Sequence, residues 1–283
     1  MAGNEMTSPL VSTDWLSRHL SAPDVRIVDA SWHMPAAGRD AKAEYREGHI
    51  PGAVFFDVDE ISDTSSPYPH MLPAPEKFAS RMKKLGLGDG HRIVIYDSTG
   101  LFSAARVWWH FRAMGHEDVF VLDGGLPKWK AEGRPLEDMP PVHGERHFTP
   151  RPNHLILRSA SDVLANISAR REQVVDARSP ARFSAQEPEP RAGVRGGHIP
   201  GARNVHYARL INPDGTMKSP AELSQVFAQA GVDVKGPVVA SCGSGITAAI
   251  VLLALKVMEA PDGALYDGSW SEWGSRSDLP LET

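Results

Sequence analysis

Short apolar runs alternate with longer amphipathic stretches along most of this 283-residue chain, most legibly in its second half. Ser161-Asp162 are placed to cap a helix running to about Arg171, and Gln173 to Ala177 is a short apolar run of the kind that forms a buried strand. Ser219-Pro220 opens another helix ending at Gly231, with proline at its first position and glycine past its end. Pro237 to Ser241 predicts the next strand, and an apolar helix follows from about Gly245 to Met258. The longest uninterrupted apolar run, Ala248 to Leu255, is far shorter than the ~20 residues that span a bilayer, so it reads as a buried helix and no membrane partner is expected. Strand and helix in alternation imply an α/β fold, a mostly parallel sheet covered by helices on both faces.

The pattern is written twice. Gly48-His49-Ile50-Pro51-Gly52-Ala53 recurs as Gly197-His198-Ile199-Pro200-Gly201-Ala202, and Ile27-Val28-Asp29-Ala30 answers Val174-Val175-Asp176-Ala177. Val94 to Gly100 lines up with Val239 to Gly245, and Leu122-Asp123-Gly124-Gly125 with Tyr266-Asp267-Gly268-Ser269. All four matches keep one order, at offsets of 144 to 149 residues, which predicts two copies of one domain. Residues 8–136 form the first, 153–283 the second, and the proline-rich, aperiodic stretch 137–152 reads as a linker.

Composition is that of an ordinary globular protein, and a formal charge of −5 argues against a phosphate-coating surface and hence against a nucleic-acid partner. Met1 to Thr13 has neither a basic stretch nor an apolar core, so no leader is expected. A single cysteine rules out an internal disulfide and a cysteine-rich metal site, which makes the cytoplasm the default compartment.

That cysteine, Cys242, ends a predicted strand just before a helix, where open α/β sheets bind ligands. Its loop, Cys242-Gly243-Ser244-Gly245-Ile246-Thr247, has two glycines that let the backbone curl so that N–H groups point at the sulfur. Such donors and the helix dipole favour a thiolate or persulfide; a buried, inert cysteine is the competing reading. A phosphatase-type site needs an arginine six residues after the cysteine, and Ala248 stands there. In the first copy the matching residue is Asp97, a poor sulfur nucleophile whose charge is expected to be wrong for an anion cradle.

These residues resemble the tandem-domain rhodanese superfamily, and more closely its 3-mercaptopyruvate-using sulfurtransferase branch, from about Trp15 to Leu281. The repeated Gly-His-Ile-Pro-Gly-Ala, the Cys-Gly-Ser-Gly-Ile-Thr-Ala loop and the closing Tyr-Asp-Gly-Ser-Trp-Ser-Glu-Trp carry the resemblance. Gly243 and Ser244 are neutral where thiosulfate-using relatives carry basic residues, which suits a donor with one carboxylate. The resemblance implies transfer of sulfur from 3-mercaptopyruvate through a Cys242 persulfide to a thiol, thioredoxin or cyanide, with release of pyruvate and no metal or organic cofactor. Arg182 and Arg191 match the arginines that hold the donor's carboxylate and ketone; Gly243, Gly245, Ile246 and Thr247 complete the substrate loop. Asp59 and His70 match residues that act with the loop serine, Ser244, in proton transfer. His49 and His198 occur in both copies, which favours a turn-stabilising role. Ile246 replaces the commoner valine, Pro69 stands where relatives have an acidic residue, and Phe102 where some have tyrosine; none of these removes a reacting group. A thiosulfate-preferring enzyme of the same fold, or a non-catalytic module in which Cys242 senses redox state, stays open.

Overall fold

Two sheets with the same strand order organise the chain. The computed structural model describes residues 8–283; residues 1–7, part of the stretch in which no leader was expected, lie outside the described residues. The first unit comprises residues up to Ser62, Pro73–Pro152 and Asn212–Met217; the second comprises Asp63–Leu72, Asn153–Ile211 and Lys218–Thr283. Each unit thus contains a short arm from the opposite half of the sequence.

In the first unit, strands β1 (Leu10–Val11), β2 (Val25–Asp29), β3 (Ala53–Phe55), β4 (Arg92–Tyr96) and β5 (Val119–Leu122) form a parallel sheet in the order β1-β5-β4-β2-β3. Helices α1 (Thr13–His19), α2 (Ala41–Glu47), α3 (Pro75–Lys84), α4 (Ala104–Ala113) and α5 (Gly125–Ala131) connect them. The inner strands are almost entirely apolar because helices cover both faces, and all of α4 is buried. The stretch 137–152, read as a linker, packs along this unit: Phe148 is buried against Phe78 and Phe111, and Arg151 N–H donates to the Met114 carbonyl.

The second unit repeats the plan. Strands β6 (Leu157–Arg158), β7 (Gln173–Asp176), β8 (Arg203–Asn204), β9 (Val238–Ser241) and β10 (Ala264–Tyr266) run parallel in the order β6-β10-β9-β7-β8. The helices are α6 (Ala160–Ala169), α7 (Pro180–Phe183), α8 (Pro220–Gln229), α9 (Ala248–Val257) and α10 (Ser269–Trp273). The N-cap of α6 is Ser159, with Asp162 closing a capping box, so the helix starts earlier than the Ser161-Asp162 reading and ends with Arg170 in a left-handed turn. Ser219 caps α8 in a second such box, Pro220 is its first residue, and Gly231 takes φ +70° just past its end. The apolar helix α9 begins at Ala248, three residues later than expected, which leaves residues 242–247 as loop.

Both histidines of the repeated motif do the same structural work. His49 stacks on Tyr45 with its Nδ1 2.7 Å from the Tyr45 carbonyl, and His198 stacks on Phe183 with its Nδ1 2.9 Å from the Phe183 carbonyl. Each also bridges, backbone to backbone, to a later residue of its own unit, Glu137 and Glu282.

Candidate active site

Cys242 follows the last residue of β9, a strand inside its sheet, and is 1% exposed. Its sulfur accepts the Gly245 N–H at 3.1 Å, which Gly245 can deliver because it adopts φ +82°. The Cys242 N–H donates to Ser269 Oγ at 3.2 Å, and the Cys242 and Gly243 carbonyls accept from the N–H groups of Trp270 and Ser271 at the start of α10. The loop is therefore pinned from beneath by α10.

The twin loop in the first unit shows what this backbone shape can hold. Asp97 is fully buried, and one carboxylate oxygen accepts the N–H groups of Thr99 and Gly100 at 2.8 and 3.0 Å. The other accepts those of Phe102 and Ala104 at 2.7 and 2.9 Å. The expectation that a carboxylate has the wrong charge for the cradle is thus corrected: the side chain is itself the anion that four N–H donors bind. At the repeat's offset, those four donors correspond to Ser244, Gly245, Thr247 and Ala249.

Ser244 is buried beside the thiol, and its Oγ lies 2.9 Å from His70 Nδ1. His70 arrives on the 63–72 arm of the second unit, where Asp267 accepts the Leu72 N–H at 2.7 Å. The first unit has the counterpart: Asp123 accepts the Met217 N–H at 2.7 Å, and Gly215 packs against Gly100. Gly215 (φ +83°) is the twin of His70 (φ +62°), so a histidine sits where the matching arm needs glycine. A bulky residue in the left-handed region costs of order 1 kcal/mol, and such strain collects where geometry serves function.

Arg182, in α7, lies against the other side of the loop. A Cβ built on Gly243 would fall 3.1 Å from Arg182 Nη2. Arg182 Nε and Nη2 donate to the Glu189 carboxylate at 3.3 and 2.5 Å, so the Nη2 that lies nearest Gly243 is also held by Glu189. Glu189, whose side chain is 4% exposed, also accepts from Arg178 Nη1 at 2.7 Å. Arg178 is in turn buried on the Trp270 ring and paired with Asp176. Arg191 follows in the same loop, half-buried.

The rhodanese-like domain family matches residues 12–132 and again 159–276. The chain belongs to the rhodanese family. As a rhodanese, it is 45% identical over 277 residues to the 3-mercaptopyruvate sulfurtransferase of Escherichia coli (strain K12), covering 98% of both chains. It is also 42% identical over 281 residues to the thiosulfate sulfurtransferase of Rattus norvegicus, covering 97% of this chain and 94% of that one. The crystal structure of the 3-mercaptopyruvate sulfotransferase SseA from Escherichia coli superposes with a TM-score of 0.86 at 42% identity, over 93% of this chain and 99% of that one.

Of the residues singled out in the sequence, the second unit brings Cys242, Gly243, Ser244, Gly245, His70 and Arg182 into one neighbourhood. Ile246 is buried and Thr247 precedes α9. Asp59 belongs to the first unit, where its carboxylate accepts the Trp32 indole N–H at 3.1 Å. Sequence reasoning missed three residues. Glu189 is hidden because its partners lie along an irregular loop with no periodicity. Ser269 (φ +49°) was detectable as a non-glycine standing where the other copy has Gly125 (φ +53°). Tyr207 carries no motif; burial first, and the neighbouring Cys242 charge second, push its phenol above the usual range.

Proposed function

We propose that this rhodanese takes sulfur from 3-mercaptopyruvate onto Cys242 and passes it to a thiol, thioredoxin or cyanide. The Cys242 thiolate attacks the donor sulfur, an S–S bond forms, and the C–S bonding pair passes into the adjacent ketone. Pyruvate leaves as its enolate, whose charge Arg182 and Arg191 stabilise while holding the carboxylate. Ser244, with His70 and Asp59, handles the proton that the enolate takes up. The persulfide rests under the Gly245 N–H and the donors equivalent to those that bind Asp97. A thiol that must cycle through a persulfide suits a reducing compartment, and the cytosol is such a place.

The observation that carries the donor assignment is the seat of Arg182 against Gly243. The planar fork of Arg182, set against the cysteine loop, fits a carboxylate. A basic side chain at position 243 would meet that guanidinium, so this loop has no room for the charge arrangement suited to a dianion without moving Arg182.

The test is side-by-side turnover: pyruvate release from 3-mercaptopyruvate, thiocyanate formation from thiosulfate plus cyanide, and persulfide on the protein by mass spectrometry. Wild type is expected to prefer 3-mercaptopyruvate, and Cys242→Ser to lose both turnover and sulfur loading while keeping its fold. Full activity in Cys242→Ser would end the proposal; a preference for thiosulfate would retain the cysteine and overturn the donor.

A further inference from the structure

We infer that Glu189 is a positioning and selectivity residue that sets the charge of the donor site to match a monoanion. The inference rests on the mercaptopyruvate reading above and extends it to a residue outside the reacting set. Four side chains form one ion-pair network: Asp176 pairs with Arg178, Arg178 with Glu189, and Glu189 with Arg182. Two carboxylates face two guanidiniums, so the network is balanced before any donor arrives. Arg178 is committed in every direction, to Asp176, to Glu189, to the Gly197 carbonyl and to the Trp270 face. Glu189 therefore joins Arg182 to Arg178, which its other partners hold in place.

Two consequences follow from the geometry. Glu189 takes one bond from Nε and one from Nη2 of Arg182, which fixes the guanidinium plane and leaves its Nη1–Nη2 end, the end toward Gly243, for the donor carboxylate. Its charge also cancels one guanidinium beside the cysteine loop, so the site carries no surplus positive charge from this network with which to reward a second negative charge on the donor. Glu189→Gln keeps nearly the same shape, leaves one guanidinium charge uncancelled and exchanges an acceptor oxygen for an amide NH2 that faces arginine donors.

The experiment compares kcat/KM for 3-mercaptopyruvate and for thiosulfate in the full-length wild type and Glu189→Gln. The two constants are expected to move in opposite directions: 3-mercaptopyruvate falls, thiosulfate rises, and their ratio shifts by about tenfold or more, the scale of one charge-assisted contact. A merely structural role would lower both together, and that result, or no change in either, overturns the inference. Should wild type itself fail to release pyruvate from 3-mercaptopyruvate, the functional reading fails first, and the two failures are thereby distinguished. A measurement on wild type alone guards against a variant that does not fold. Competition by pyruvate, a monoanion, is expected to be stronger than competition by sulfate, a dianion of comparable reach; tighter inhibition by sulfate would overturn the charge balance assigned to Glu189.

Discussion

Asp97 accepts four backbone N–H groups in a site from which water is excluded, and each such charged bond is worth about 1.5–3 kcal/mol when its partner is buried. Asp97→Asn would turn two of its hydrogens toward donors already in place. It is expected to destabilise the first unit by roughly 3 kcal/mol, read as a lower urea midpoint with unchanged slope; an unchanged midpoint would contradict the cradle as drawn. The sequence located this residue correctly and misjudged its chemistry, because matching it to Cys242 said what it lacks as a nucleophile and nothing about what the surrounding amides require. Arg182 shows the converse. A motif exposed it, yet its partner Glu189 stayed hidden, since seven residues along an irregular loop leave no spacing signal.

Among the elements, those with end signals were the most legible. Ser219 and Pro220 mark the start of α8 because a hydroxyl and a missing N–H have direct consequences for the first turn. The stretch 137–152 had no such marks, and proline spacing concealed the buried Phe148 that fastens it to the first unit. Close to that fastening, His91 precedes β4, where burial first, then Arg26, Arg146, His116 and His143, push its imidazole down to about 4 from an ordinary 6.5. A folded-state value below the unfolded one means stability is full above about 6.5 and is lost as pH falls from there toward 4. Acidifying from pH 8 to pH 5 is therefore expected to lower the urea midpoint of wild type more than that of His91→Gln. Equal losses would remove His91 from the account.

At the level of the whole molecule, the doubled sequence announced two copies but not that each unit takes in an arm from the other half. Arms 63–72 and 212–217 are irregular, and neither periodicity nor propensity speaks to where an aperiodic segment lodges. Cutting the chain between residues 152 and 153 is expected to leave residues 153–283 without His70 and without the Leu72 bond to Asp267, and so with little turnover. Mixing both fragments should restore it, and a fully active isolated 153–283 fragment would refute the importance of the arm. The exchange also bears on kinetics. A tethered arm meets its acceptor at an effective concentration of about millimolar or above, whereas separate pieces must find each other by diffusion. Specific activity of the intact chain should hold constant through serial dilution, while that of the mixed fragments decays with it. Joining the two copies in one polypeptide thus converts a second-order assembly into a first-order one.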